Sequence, residues 1–160
     1  ASAPRRNAAA AVLKAEMDKI RAEEPDRLLF AMGDFNDDPV NVSLTKHLGA
    51  VGDKKELSEE RPYYNLMYKM FKSGVASLGY RDAPNLFDQI IVSKNALSDT
   101  LQKNYSVYKA EVFAPSYLIT PDGQYKGYPY RSWAGDTFTG GYSDHFPSLV
   151  VLLKEFTPAQ

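Results

Sequence analysis

The run Leu28-Leu29-Phe30-Ala31-Met32 stops at Gly33-Asp34-Phe35-Asn36-Asp37-Asp38-Pro39. The five apolar residues read as a buried β-strand, so the glycine and the acids after it stand at the strand's mouth. Asp34 and Asn36 are two residues apart, and in extended backbone both side chains point to the same side. A carboxylate and a carboxamide aimed at one point suit a metal-bound water and a phosphate oxygen. Asn36-Asp37-Asp38-Pro39 then re-aims the chain as a turn. Taken alone, the stretch is explained equally well as a polar β-turn without chemistry.

Two further clusters shift that balance. Gly140-Gly141-Tyr142-Ser143-Asp144-His145-Phe146-Pro147 leads into Ser148-Leu149-Val150-Val151-Leu152-Leu153, a second buried strand. Asp144 and His145 are adjacent just before it, so one can face a metal while the other faces a substrate oxygen. Between the two clusters lies Asn85-Leu86-Phe87-Asp88-Gln89-Ile90-Ile91-Val92-Ser93, with Asp88 at the head of an Ile-Ile-Val strand. A carboxylate there is well placed to orient an imidazole. A lone histidine is more often structural than catalytic, but three strand-flanking acidic sites with one histidine form a constellation.

The remainder of the chain frames these clusters. Ser2 as N-cap and Pro4 in the first turn start an amphipathic helix. Ala11, Val12, Ala15 and Ile20 form its apolar face, and Pro25-Asp26 ends it. Asn41 to Leu48 reads as a short helix closed by Gly49, and it carries His47, the second of two histidines. Asp53 to Arg61 is a charge run, read as a solvated helix or loop. Pro62 to Phe71 brings aromatics at helix-like spacing; core packing is the stronger reading and a substrate-stacking platform the weaker. From Tyr105 to Tyr142 aromatics alternate with Gly and Pro, and Pro121-Asp122-Gly123 predicts a hairpin turn. Asn41 and Asn104 open Asn-x-Ser sequons, read as incidental.

With 160 residues and 44% hydrophobic content, one domain with a real core is within reach. A net charge of −1 gives no basic field to draw in a polyanion over long range. That weakens a plain nucleic-acid-binding reading, though a nuclease can take its positive charge from metal ions and local arginines. There is no cysteine, hence no disulfide framework and no thiolate metal site. No signal peptide or membrane span is visible.

Gly-Asp-Phe-Asn, a strand headed by Asp, and Ser-Asp-His-Phe-Pro, in that order and rough spacing, resemble the motif set of the endonuclease/exonuclease/phosphatase superfamily. This group holds pancreatic-type deoxyribonucleases, abasic-site endonucleases, inositol polyphosphate 5-phosphatases and bacterial sphingomyelinases. The resemblance covers nearly the whole chain and looks closest to the bacterial members that carry only the superfamily's name. It implies a phosphoester hydrolase dependent on Mg²⁺ or Mn²⁺. In that pattern Asp34 orients and deprotonates the attacking water, and Asn36 holds the water or a phosphate oxygen. His145 hydrogen-bonds the phosphate, and Asp88 orients His145 and raises its pKa. Asp144, together with Asp34, is the metal-ligand candidate. Arg81, on the segment that runs along the rim of the site in the family, and Tyr142, among the aromatics, are candidate substrate contacts. A plain surface arginine is the competing reading of Arg81.

The fold implied by the resemblance is α+β. It is the C-terminal portion of a four-layer α/β/β/α sandwich, deoxyribonuclease-like, mostly antiparallel sheet with covering helices. Family members are considerably longer, and the resemblance places a metal-binding Glu on a strand before residue 1. Residues 1–160 are therefore expected to be the C-terminal part of a single catalytic domain, inactive alone. A complementary N-terminal fragment or self-association would cover an apolar sheet face. The expected substrate is a phosphoester: a nucleic acid, or a small, lipid-linked or sugar phosphate, with the near-neutral charge leaning to the latter. Analogy with bacterial relatives favours an extracytoplasmic location, periplasm or surface. The alternatives are a non-catalytic binding or partner-interaction module on the same fold, and a metal-free domain whose acids only form turns.

Overall fold

In a computed structural model that describes residues 2–80, 83–97 and 104–156, the alanine-rich segment Ala3–Glu23 forms helix α1. Alanine with Lys, Glu and Arg is the composition that loses least on entering a helix. Pro4 sits in the first turn, where its missing N–H costs nothing. Ser2 precedes the helix but does not cap it through its side chain; its hydroxyl accepts from the Arg6 guanidinium at 2.6 Å. The buried face is Ala10, Leu13, Met17 and Ile20. Of the expected apolar face only Ile20 is on it; Ala11 and Ala15 are exposed and Val12 is 71% exposed. Ala8 to Val12 are all apolar, so the sequence does not fix which side of that turn faces the core.

The core sheet has the order β1-β5-β2, with β1 Phe30–Asp34, β2 Tyr63–Asn65 and β5 Asp88–Ser93, all antiparallel. The first strand starts later than the apolar run suggests and includes Asp34. Side chains alternate across the sheet. Leu29, Ala31, Tyr63 and Ile91 face α1 together with Leu44, Leu48 and Ala50. Phe30, Tyr64, Ile90 and Val92 face the other way. There they meet Val107, Ala110, Val112 and Val150 of a second antiparallel pair, β6 Ser106–Val112 and β9 Ser148–Leu153. Ile90, Ile91 and Val92 are each fully buried, which explains a continuous apolar run in a strand covered on both faces. Each contributes about 1.5–3 kcal/mol of transfer free energy.

Other expectations divide. Ser43–His47 winds as a π-helix, with Leu48 N–H bonding Ser43 C=O at 2.8 Å, and Gly49 ends it at φ 76°. His47 lies exposed on it. The charge run holds a 3₁₀ turn at Lys54–Glu56 and surface ion pairs, Glu59 bridging Arg21 and Lys94. Residues 62–71 are β2 followed by a short helix α2, Tyr68–Lys72, rather than one helix. Tyr63, Tyr64 and Met67 are buried there, so core packing is their role. The turn at 121–123 closes on only one bridge, Ile119 to Pro129. The regular hairpins are β3 Leu78–Tyr80 with β4 Ala83–Asn85, and β7 Trp133–Ala134 with β8 Thr137–Phe138. Among the described residues no helix is long and apolar enough to cross a membrane.

Candidate active site

Antiparallel pairing puts the mouths of β1 and β5 at one end of the sheet, with Asp34 directly opposite Asp88. Two acids facing each other across a ladder repel, so the arrangement needs a cation nearby. His145 supplies it. Its Nδ1 lies 2.8 Å from Asp88 Oδ2. The same carboxylate oxygen accepts from Ser77 Oγ at 2.5 Å. Ser77 and His145 are tied further by Phe146 N–H donating to the Ser77 carbonyl at 2.7 Å. Ser148 Oγ donates to the Asp88 carbonyl at 2.7 Å, which fastens the start of β9 to the head of β5. The β9 strand thus delivers His145 to Asp88 through backbone geometry, not through sequence proximity.

The electrostatics follow. The hydrogen bond to Asp88 holds the His145 imidazole above its ordinary pKa of 6.5 against the opposing effect of burial, with added help from the charges of Asp88, Asp144 and Asp34. Burial pushes the Asp88 carboxyl up, but the bonds from His145 and Ser77 outweigh it and leave it below the ordinary 3.8. The pairing favours the imidazolium and the carboxylate over their neutral forms.

Asp34 and Asn36 do not point together as extended backbone would have it. Asn36 takes φ 51°, and its N–H donates to Asp34 Oδ1 at 2.8 Å. The chain turns at once, as asparagine permits more readily than other residues with a Cβ. Asp34 stays beside the β5 mouth, while Asn36 lines a cleft of about 590 Å³ with Asp38, Asp144, His145 and Arg131. Asp34 borders a separate small apolar recess against α1. Tyr142 is 62% exposed, stands edge-on to Tyr117 at 5.8 Å and does not line the cleft. Arg81 lies outside the described residues.

Several site residues escape a sequence reading. Asp37, only 4% exposed, accepts from Asn41 Nδ2 and Ser43 Oγ at 2.6 Å each and lies 2.7 Å from Arg6 Nε, an ion pair with its N–H directed off the carboxylate. Burial raises its pKa, but Arg6, Ser43 and Asn41 together hold it below the ordinary value. This network clamps the turn after Asn36 to α1. Asp38 accepts from Leu86 N–H at 2.7 Å, and burial leaves its carboxyl above the ordinary value. Asp37 and Asp38 stand in the same acidic turn as Asp34, which was a visible signal; nothing in the sequence around Ser77 or Arg6 marks them.

Oxygen donors at a sheet mouth, with a carboxylate-paired imidazole beside them, define a site for handling an oxyanion, and hard oxygen ligands are the donor set that Mg²⁺ and Mn²⁺ take. The family profile for the Endonuclease/Exonuclease/phosphatase family matches residues 1–154, and the chain belongs to that family. Its members are generally hydrolases of phosphoesters and generally use divalent metals. No curated protein and no solved structure gives a significant match. Among the described residues no three acidic or imidazole side chains converge as a ready-made cation site. One or two carboxylates completed by water and substrate oxygens are nevertheless a common Mg²⁺ sphere, and Asp144 on the cleft wall is a donor of that type.

Proposed function

We propose that this chain carries the water-attack machinery of a metal-dependent phosphoester hydrolase. The observation that carries the reading is the His145–Asp88 pair, 2.8 Å apart, set beside Asp34 at the shared mouth of β1 and β5. In-line attack forms a bond from water oxygen to phosphorus and breaks the ester bond, building negative charge on the non-bridging and leaving oxygens. Asp34 takes the proton of the attacking water. Asn36, parted from Asp34 and at the cleft wall, holds a phosphate oxygen. His145, with Nδ1 committed to Asp88, offers Nε2–H to a phosphate oxygen as charge develops. Asp88 is a positioning residue: it fixes the ring and favours the imidazolium. Asp144 and Asp34 would hold a divalent cation, which when bound supplies charge neutralisation at the phosphate. The four-layer sandwich is part of the same reading, supported by α1 on one face of the core sheet and β6–β9 on the other.

The further carboxylate of the metal site is inferred to come from outside the described residues. What supports this is that no three acidic or imidazole side chains converge among the described residues. The test is hydrolysis of chromogenic phosphodiesters and phosphomonoesters by the full-length protein with Mg²⁺ or Mn²⁺, with Asp34→Ala as control. Ion-dependent turnover lost in the variant is the expected result. No turnover of any phosphoester in either ion would leave a binding module as the better account.

A further inference from the structure

The cleft beside His145 holds about 590 Å³. Sites for whole small molecules run from about 300 to 1,000 Å³, so there is room for more than the phosphate being cleaved. The charges lining it are unevenly committed. Asp38 and Asp144 contribute negative charge at its wall. Arg6, the cation nearest the acidic turn, is taken up by Asp37 and Ser2. Arg131 lines the same cleft, and its guanidinium makes no hydrogen bond or ion pair among the described residues.

Its backbone, by contrast, is held firmly. Tyr130 N–H donates to the Leu118 carbonyl at 2.7 Å, and the Tyr130 carbonyl accepts from Tyr142 N–H at 2.6 Å and Ser143 N–H at 3.2 Å. Thr139 Oγ1 donates to the Arg131 carbonyl. A Cβ at Gly141 would run into the Tyr130 and Arg131 carbonyl oxygens, so the two chain segments approach as closely as backbone can. The segment that leads directly into Asp144 and His145 therefore fixes where Arg131 starts. An uncommitted arginine on a pinned backbone, at the rim of an acidic cleft, is placed to bind an anion that the cleft's own carboxylates would repel.

We propose that Arg131 is a specificity-determining residue that binds a second phosphate group, separate from the scissile one, on a small phosphorylated substrate. This rests on the phosphoester reading above and narrows it to substrates carrying two phosphates. A planar guanidinium pairs bidentately with a phosphate, and the net charge of −1 gives no long-range field suited to a polymeric anion.

The test is calorimetric titration of the full-length protein with glucose 1,6-bisphosphate and with glucose 6-phosphate, which share a ring and differ in one phosphate. The native protein is expected to bind the bisphosphate more tightly. Arg131→Ala is expected to shrink that preference about tenfold, the loss of roughly one charge-assisted hydrogen bond, and Arg131→Lys to keep part of it. An unchanged ratio in Arg131→Ala, an equal loss for both ligands, or no binding of the bisphosphate by the native protein each overturns the proposal. An unaltered thermal midpoint in the variants shows that folding is intact. Binding is read without turnover, so this result and the hydrolysis test fail separately.

Discussion

Replacing Asp88 by Asn is the most informative single change. Asn keeps the shape and can still accept from Ser77 Oγ, which now lies 2.5 Å from Asp88 Oδ2. What it removes is the charge that faces His145 Nδ1 at 2.8 Å. Side-chain exposures of 22% for His145 and 20% for Asp88 leave the pair only lightly screened by water. A hydrogen bond to a charged partner is worth about 1.5–3 kcal/mol. If the imidazolium acts on the developing phosphate charge, that translates into roughly ten- to a hundred-fold in kcat, with KM changed much less. Two assays check it together. Steady-state kinetics across pH should show kcat falling as pH rises through the raised His145 pKa in the native protein, and this limb moving to lower pH in Asp88→Asn. Proton NMR should show His145 titrating lower in the variant, because burial now acts unopposed by Asp88. Full kcat, or an unmoved His145 titration, would refute the pairing as the source of catalytic power.

Asp34→Ala should remove the water-activating base and lower kcat by about 10²–10⁴, with the thermal midpoint little changed because the side chain is exposed; a loss confined to KM would count against a base. Asp37→Ala strands Arg6, Asn41 and Ser43 around an emptied site and should cost about 1–3 kcal/mol for each group left unsatisfied, read by urea unfolding. The Asp88–His145 pair should stabilise the fold most between about pH 4 and 6.5. Below that window stability is lost as pH falls through the lowered Asp88 pKa, and above it as pH rises through the raised His145 pKa; Asp88→Asn should flatten this profile in pH-dependent unfolding. Gly141→Ala should destabilise by about 1–3 kcal/mol through overpacking and shift Arg131 relative to Asp144, so an unchanged thermal midpoint would contradict the close approach.

The sequence alone determined the ingredients. Apolar runs bounded by turn residues located β1, β5 and β9, because burial on both faces of β5 demands unbroken Ile-Ile-Val. The acids flanking those runs marked the mouth of a sheet, and three ordered motifs pointed to one family. Composition excluded a disulfide scaffold and a strongly basic surface. Tertiary structure decided everything that depends on which faces meet. Antiparallel register set Asp34 opposite Asp88, and no local pattern encodes a register between strands more than fifty residues apart. The packing of α1 chose Ala10 and Met17 over Val12, since a run of small apolar residues presents several equivalent faces. The left-handed φ of Asn36 parted it from Asp34, in a turn that Asp37 ties to Arg6, Asn41 and Ser43. Ser77 and Arg131 joined the site through hydrogen bonds that bring distant loops to its rim; a serine before a strand and an arginine among aromatics carry no sign of that by themselves.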